Sequence, residues 1–298
     1  MKITSTKLIV LLLGLSLTAA FAQTTPLPAT PTPPPQAGEP TNTKEAEQKK
    51  KASKITPAMQ AAEEKRMATM SPDELAWEKV LQENLGDFYL SGYYWGKDNK
   101  KEGAFDYVAD NPALPRMLII GDSISRGYTV ATRHALAGKV NVHRAPANCG
   151  PTKYGLEKLD VWLGKGKWDV ITVNFGIHDR NTDPAIYRAN LEQIIQRLQK
   201  TGAQVVWVRT TPAPDGPCAE KFTETLCNRL NQAGDEVAAQ YHLTEIDLYG
   251  LVKPKQAELQ LPNNVHFKNE GYDLMGAEVA RVTLEVLKGM SPTVNKPK

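Results

Sequence analysis

This chain of 298 residues has few cysteines, a small net charge and only one long apolar run. Three cysteines are too few for a disulfide-dense scaffold, and a formal net charge of +3 gives no reason to expect nucleic-acid binding. The sequence has no Gly-rich phosphate loop, no aromatic-basic RNA motif, and no His-x-x-x-His or Cys-x-x-Cys spacing. We therefore expect no cofactor, no bound metal and no nucleic-acid partner.

The one long apolar run has the pattern of a secretory signal peptide. Lys2 and Lys7 flank its start, and the leucine-rich stretch 8–22 closes with small residues before Gln23. The run is too short to span a bilayer, although a signal anchor is the alternative. We predict that residues 1–22 are removed, leaving a secreted or periplasmic protein without a stable membrane span.

Two segments of different composition precede the first expected ordered region. Residues 24–40 are dominated by proline and threonine, and residues 44–66 alternate lysine clusters with glutamate and alanine. Such compositions cannot bury a core, so we predict a disordered linker over 23–70, with a solvated helix as the alternative for its second part.

An N-terminal extension packed on the main domain is predicted over 71–115. Ser71, Pro72 and Glu74 form a capping-box signature for a helix that continues to about Leu85. An aromatic-rich stretch, 88–95, follows. It is either a sugar-stacking rim or a packing pad, and we favour the packing pad.

From residue 116 the chain alternates strand-like and helix-like stretches, which is typical of the α/β class. The Val- and Ile-rich strands 168–175 and 203–210 have the composition of central strands covered on both faces. We predict one domain over 116–290, with five parallel strands and helices on both faces, and a flexible tail over 291–298. The remaining strands are predicted near 116–121, 140–145 and 243–247, and helices near 127–137, 184–200, 221–240 and 270–288.

Polar clusters follow three of these strands and precede the last helix. They are Gly121-Asp122-Ser123, residues 147–152, residues 174–179 and residues 261–267. Ligands bind beyond the carboxyl ends of parallel strands, so these clusters are expected to meet in one site. An acyl-transfer site needs a nucleophile, oxyanion donors and a base.

Each of these three roles has a candidate in the clusters. We predict that Ser123 attacks, that the N–H groups of Ser123 and Gly150 bind the oxyanion, and that His266 is the base. The structural alternative is that Ser123 only caps a helix.

These blocks, in this order, resemble those of the SGNH (GDSL-type) hydrolases, and the resemblance covers 116–287. It implies a three-layer, flavodoxin-like α/β fold and esterase or deacylase activity. Gly121-Asp122-Ser123 and Gly150 fit the first two blocks. The third block has His178 where the family has asparagine, and the fourth has Asn263 where the family has aspartate.

The resemblance assigns further roles to four residues. His178 becomes an oxyanion donor, with an acid-base group and a core histidine as alternatives. Asn263 becomes the residue that orients His266, with Asp122 and Asp179 in support. A backbone carbonyl, Asp179 or Glu270 is the alternative orienting group.

The cysteines lead to two expectations. Cys218 and Cys227 are close enough in sequence to form a small disulfide in an oxidising compartment. Cys149 is then unpaired, and we interpret it as a packing residue rather than a nucleophile.

We therefore predict an exported ester hydrolase that deacylates an acylated carbohydrate, or another small-molecule ester, through an acyl-enzyme on Ser123. A lipid or thioester substrate is the close competitor. The alternatives from other classes are a non-catalytic domain that binds a glycan or a partner in the same cleft, and an acyltransferase that uses the same serine.

Overall fold

The computed structural model describes residues 55–290. The predicted signal peptide, most of the predicted linker and the tail 291–298 lie outside these residues. Five strands form one parallel sheet in the order β2-β1-β3-β4-β5. The strands are β1 (Arg116–Ile120), β2 (Asn141–Arg144), β3 (Val170–Val173), β4 (Gln204–Val208) and β5 (Thr244–Ile246).

Ten α-helices of the described region surround or precede this sheet. They are α1 (Pro57–Met67), α2 (Pro72–Asn84), α3 (Asp87–Asp98), α4 (Ser123–Ala135), α5 (Thr152–Leu163), α6 (Pro184–Gln199), α7 (Glu224–Gln240), α8 (Leu248–Val252), α9 (Gln256–Leu259) and α10 (Asn269–Met290). A short 3-10 helix, Ile177–Asp179, follows β3. Within residues 55–290, no helix combines the length and the hydropathy needed to cross a bilayer.

The sheet is buried because its central strands are apolar on both faces. Four consecutive residues of β1, from Met117 to Ile120, are at most 1 % exposed, and all of β3 is buried. Strand β1 has β2 on one side and β3 on the other, so the order reverses beside β1. The crevice at such a reversal, beyond the carboxyl ends of the strands, is where doubly wound sheets bind ligands.

Helices cover both faces of the sheet and form the outer two layers. Helix α4 packs against α10, while α5, α6 and α7 pack as successive neighbours. Gly276 allows the close approach of α10 to α4, because a Cβ there would lie 2.6 Å from the Cβ of Ala131. The predicted α/β class and five-stranded parallel sheet are confirmed.

The structure contains helices that the sequence did not predict. Helix α5 follows β2, and the aromatic-rich stretch forms α3. Helix α1 lies inside the predicted disordered linker, in the part for which a solvated helix is the alternative interpretation. There Thr56 accepts a hydrogen bond from the N–H of Met59 and Pro57 occupies the first turn. The predicted helix after Ser71 is present as α2, and Ser71 accepts from the N–H of Glu74.

A buried ionic network explains why α1 is ordered. The Arg66 guanidinium donates to the carboxylates of Glu63 and Glu78, with closest distances of 2.7 Å to each. The Tyr93 hydroxyl of α3 donates to the same Glu78 carboxylate at 2.8 Å. Glu63 and Glu78 are both buried, so Arg66 supplies the positive charge that makes their burial tolerable.

Candidate active site

Ser123 is placed at the start of a helix by the turn that follows β1. The strand ends at Ile120, Gly121 and Asp122 make the turn, and Ser123 is the first residue of α4. The Asp122 carboxylate accepts a hydrogen bond of 2.9 Å from the N–H of Ile124 and is the N-cap of α4. Because Asp122 caps the helix, the Ser123 hydroxyl remains available for other partners.

That hydroxyl contacts the imidazole of His266. Ser123 Oγ lies 2.8 Å from His266 Nε2, and His266 Nδ1 lies 2.7 Å from Asn264 Oδ1. The same Oδ1 accepts the backbone N–H of His266 at 2.9 Å, so this atom is an oxygen acceptor and not the amide nitrogen. His266 therefore carries its proton on Nδ1, which leaves the Nε2 lone pair facing the serine.

Asn263, which the sequence suggested as the orienting residue, is not at the ring. Its backbone has a φ of 52°, in the left-handed region that asparagine tolerates. Its Oδ1 lies 2.0 Å from where a Cβ on Gly216 would be, so the side chain packs against that glycine. Asn264, two residues before His266, takes the orienting position through an Asx turn. The family pattern places the orienting residue three positions before the histidine, and it therefore pointed to Asn263.

The environment of His266 favours the neutral imidazole. Partial burial lowers its pKa from the ordinary value of 6.5, and the neighbouring Arg126 and His178 lower it further, while Glu220 and Asp122 act in the opposite direction. A neutral ring with a free Nε2 lone pair is the form that accepts a proton from serine.

Two backbone N–H groups are positioned beside the serine. The N–H of Ser123 lies in the first turn of α4, where a helix offers unpaired donors and a positive dipole end. Gly150, at a φ of 61°, follows Cys149, whose N–H donates to Gly121 O at 3.3 Å. No hydrogen bond within residues 55–290 uses the N–H of Gly150. Both donors are therefore free for an oxyanion.

Arg144, which sequence reasoning missed, ties these two loops together. It is 1 % exposed and has no salt bridge to a carboxylate within the described chain. Its Nη2 donates to Gly121 O at 2.9 Å and Asp122 O at 2.8 Å, and its Nη1 donates to Ala147 O at 2.6 Å. The only sequence signal is its position: Arg144 ends strand β2 and precedes the loop that leads to Gly150.

His178 lies at the rim of the site. Its side chain is exposed, so the core-histidine alternative is wrong. The His178 Nε2 lies 3.3 Å from the Asn148 amide nitrogen, in the loop that leads to Gly150. The structure thus brings His178 to the same edge as the two backbone donors.

Asp179 has a structural role that the sequence did not suggest. It is fully buried and accepts 2.8 Å hydrogen bonds from the N–H and the hydroxyl of Thr152, at the start of α5. Burial raises its pKa, and the bonds from Thr152 and Thr182 oppose that rise. Within the described residues no hydrogen bond joins Asp179 or Glu270 to His266, so neither orients the ring.

Of the two expectations for the cysteines, the disulfide is wrong and the buried packing role of Cys149 agrees with the structure. All three are free, and the predicted Cys218–Cys227 disulfide is absent. The Cys227 sulfur is directed at Thr211 O, 3.3 Å away, while the Cys218 sulfur lies near the backbone of Phe222. Cys149 is fully buried, and burial raises the pKa of its thiol to about 12, as a packing residue requires. Residues 55–290 contain no group of three or more His, Cys, Asp or Glu side chains arranged for a metal ion.

Comparison with solved structures finds the same architecture in other proteins. The chain is similar to a lipase/acylhydrolase from Enterococcus faecalis, with 27 % identity and a TM-score of 0.52 over 59 % of this chain and 96 % of that one. It also aligns with an acetylxylan esterase from Geobacillus stearothermophilus at 12 % identity and a TM-score of 0.48, over 58 % of this chain and 94 % of that one. No curated protein matches the sequence.

The family comparison covers the whole region that builds the site. Residues 119–274, slightly more than half of the chain, match the GDSL-like Lipase/Acylhydrolase family. This range includes the serine turn, the glycine loop and the histidine segment. The chain therefore belongs to the GDSL-like lipase/acylhydrolase family, the SGNH hydrolases, whose members are ester-hydrolysing enzymes.

Proposed function

We propose that the protein is an exported serine ester hydrolase that removes acyl groups from an acylated carbohydrate. The observation that carries the proposal is the continuous hydrogen-bonded chain from Asn264 through His266 to Ser123. This chain supplies a nucleophile, a neutral base and an orienting group within hydrogen-bond distance of one another.

The reaction follows from that geometry. Ser123 Oγ attacks the carbonyl carbon of the ester while its proton passes to His266 Nε2. The N–H groups of Ser123 and Gly150 stabilise the oxyanion, with His178 as a third donor at the rim. When the intermediate collapses, the leaving alcohol takes the proton from Nε2 and an acyl-enzyme remains.

In the second half of the cycle water is the nucleophile and Ser123 is the leaving group. His266 removes a proton from a water molecule, which attacks the acyl carbon. The second intermediate then releases the carboxylic acid, and the proton on Nε2 returns to Ser123 Oγ. The ester and one water molecule are consumed, and the alcohol and the carboxylic acid are released, so the steps balance.

Two exposed aromatic side chains support a carbohydrate as the alcohol component. Phe88 and Trp95 are 66 % and 51 % exposed on α3, in the extension that packs beside the site. Exposed large aromatic rings favour ligands with an apolar face and polar edges, which sugar rings have.

Export is supported by the composition of residues 1–22, which lies outside the described residues. N-terminal sequencing of protein collected outside the cytoplasm tests this part of the proposal, with Gln23 as the expected first residue. A chain that retains Met1 and stays in the cytoplasm would contradict it.

The substitution Ser123→Ala tests the catalytic part. We expect it to lower turnover of 4-nitrophenyl acetate by at least about 10⁴-fold, as removal of a serine nucleophile does elsewhere, while the circular dichroism spectrum stays the same. Labelling by a fluorophosphonate should disappear in the same variant. A panel of acetylated oligosaccharides and fatty-acyl esters then compares the two substrate classes.

Two results would contradict the proposal in different ways. Equal turnover by wild type and Ser123→Ala would remove Ser123 from the mechanism. Faster turnover of fatty-acyl esters than of acetylated sugars would replace the carbohydrate with a lipid substrate.

A further inference from the structure

A groove separate from the serine and histidine runs along the extension. It has a volume of about 660 Å³, within the range of ligand sites, and lies between α3, the segment 101–106, α4 and the start of α10. We call it the aromatic groove. Its side chains that matter below are Phe88, Tyr89, Trp95, Lys101, Arg126 and Tyr272.

One face of α3 forms a trough in this groove. Phe88 and Trp95 are seven residues apart, so they project from the same face about 10 Å apart along the helix axis. Gly92 lies between them, and a Cβ built there would meet no atom within 4 Å. The two aromatic rings therefore flank an open gap instead of a packed surface.

Three other apolar residues of α3 account for the packing of the extension. Leu90, Tyr93 and Tyr94 are buried, together with Phe105, in the extension's own apolar cluster. The exposed pair, Phe88 and Trp95, is not required for that cluster. The aromatic stretch thus divides into a packing side and a free side, where the sequence interpretation chose between the two.

The charges facing the groove are unbalanced. Within residues 55–290 the Arg126 guanidinium has no hydrogen bond and no ion pair, and lies over the Tyr89 ring at 5.6 Å. The Lys101 ammonium lies 4.5 Å above the Trp95 ring and has no carboxylate partner in that range.

The acids at the rim are already engaged. Glu102 is 2.7 Å from His134, and Asp106 is 2.7 Å from Lys97. His134 cancels the charge of Glu102 only when it is protonated, whereas Lys101 and Arg126 are both cations without a carboxylate partner among the described residues. Two such cations against one acid leave the net charge that a ligand meets in the aromatic groove positive. A fatty acyl chain there would bury the unpaired guanidinium of Arg126 without a partner, which is costly.

The groove reaches the catalytic pair along two elements. Arg126 lies one turn after Ser123 on α4. Tyr272, at the other wall, accepts through its hydroxyl a 3.4 Å hydrogen bond from the N–H of Phe267, the residue after His266. A ligand in the groove can thus extend to the ester at Ser123.

We propose that the aromatic groove binds an anionic oligosaccharide, whose sugar rings stack on Phe88 and Trp95 and whose carboxylate pairs with Arg126. The inference deepens the proposed function and rests on it, because it names the class of carbohydrate that carries the ester. The groove is then a subsite that holds the polymer beside the serine.

Binding to the full chain carrying Ser123→Ala tests this without turnover. Isothermal titration compares cellotriose with its C6-oxidised form, the β-1,4 glucuronic acid trimer, which differs only in its carboxylates. We expect the acidic trimer to bind at least about tenfold more tightly at low salt, with the difference reduced at high salt. Equal affinity for the two trimers would overturn the proposal.

Three variants locate the site. Arg126→Gln should remove the preference for the acidic trimer, and Trp95→Ala should weaken binding of both trimers, while Trp95→Phe keeps an aromatic face and retains binding. Ile186→Ala is the control, because Ile186 is an equally exposed apolar residue, at 56 %, on α6 and outside the groove. Unchanged binding in Arg126→Gln and Trp95→Ala would place the ligand elsewhere.

A separate measurement distinguishes the two proposals. Turnover of 4-nitrophenyl acetate by the wild type and by Ile186→Ala depends on Ser123 and His266, and the circular dichroism spectrum shows whether Trp95→Ala is folded. Trimer binding without any ester turnover would contradict the proposed hydrolase while supporting the groove. Ester turnover without trimer binding would contradict the groove alone.

Discussion

A neutral amide stands where a hydrolase of this kind is expected to have a carboxylate. Asn264 Oδ1 holds the Nδ1 proton of His266, so the tautomer is correct, but the amide adds no negative charge, and Glu220 is the carboxylate whose charge acts most on the ring. In a serine protease, changing the corresponding aspartate to asparagine lowers turnover by about 10⁴-fold, partly through the wrong tautomer. Here the second acceptor contact of Asn264, with the His266 backbone N–H, removes that part of the penalty.

The substitution Asn264→Asp should therefore raise kcat. A carboxylate keeps both hydrogen bonds and adds the charge that stabilises imidazolium, so we expect a gain of about tenfold or more on 4-nitrophenyl acetate. The matched control is Asn263→Asp, whose side chain packs against Gly216 and should leave kcat unchanged. A gain in the control but not in Asn264→Asp would reverse the assignment of the two residues.

The pH dependence follows from the lowered pKa of His266. The neutral ring is the active form, so kcat/KM should rise with pH through the pKa of His266 and reach its plateau below the pH that an ordinary imidazole, with a pKa of 6.5, would need. Steady-state rates measured from about pH 4 to about pH 8, in steps of about one pH unit, give the midpoint.

Removal of the positive charge of Arg126 should shift the pH midpoint of kcat/KM. Arg126 is one of the groups that lower the pKa of His266, so Arg126→Gln should move the midpoint to higher pH. Asn264→Asp should also move it upward. A midpoint that moves downward in both variants would show that another group limits the rate.

Single residues of the site were predictable where chemistry and chain position agree. Ser123 follows the end of a strand, and His266 precedes a long helix. The structure brings the two side chains into contact. Asn264 was not predictable, because the choice between residues 263 and 264 depends on a left-handed backbone conformation at residue 263 that composition does not reveal. Arg144 was missed because a buried, unpaired arginine looks like a surface cation in sequence.

At the scale of elements, the site depends on the alignment of the turn before α4 with the loop before α5. Arg144 bonds to carbonyls of both, and its planar guanidinium spans several acceptors at once. A lysine keeps the charge but cannot reproduce that fork. The separation of the nucleophile from Gly150 thus depends on a residue that contacts no substrate.

We expect Arg144→Lys to lower kcat by about 10- to 100-fold, because small displacements of reacting groups have effects of that size. The KM for a small ester should change little, since the substituted residue lies beneath the site. Arg133→Lys is the control: Arg133 also donates to backbone carbonyls, those of Gly103 and Ala104, but not to the serine turn. A fall in kcat of equal size in both variants would indicate general destabilisation instead of positioning.

Elements with regular patterns were predicted, and those without were not. The Val- and Ile-rich strands and the long α6 and α10 were clear in the sequence. Helix α3 was not, because glycines and aromatic residues occupy positions where a helix signal needs regular alternation of apolar and polar side chains. Helix α5 begins where Asp179, distant in sequence, accepts the N–H of Thr152, and a local pattern cannot show that partner.

At the scale of the whole molecule, the extension is part of the folded enzyme. Phe105 lies over the Arg144 guanidinium at 4.9 Å, and Arg133 on α4 donates to carbonyls of the 103–104 segment. The network of Glu63, Arg66, Glu78 and Tyr93 then holds α1, α2 and α3 together. The predicted packing of the extension on the domain thus has specific contacts.

Arg66→Met should lower the free energy of unfolding by about 2–3 kcal/mol, because it leaves two buried carboxylates without their cation. Urea denaturation followed by tryptophan fluorescence measures the change. Arg281→Met is the control, since Arg281 pairs with Glu278 and Glu285 on the exposed face of α10, where ion pairs contribute little. Equal changes in the two variants would show that burial does not matter here.

The position of Phe105 over Arg144 has a consequence for motion. If the extension opens while the sheet stays folded, water reaches the guanidinium and the carbonyl bonds beneath the serine turn exchange with solvent. The catalytic turn then becomes mobile at the free energy of this partial opening, which is smaller than the free energy of unfolding the sheet. Loss of activity on warming would accordingly precede the cooperative melting of the core.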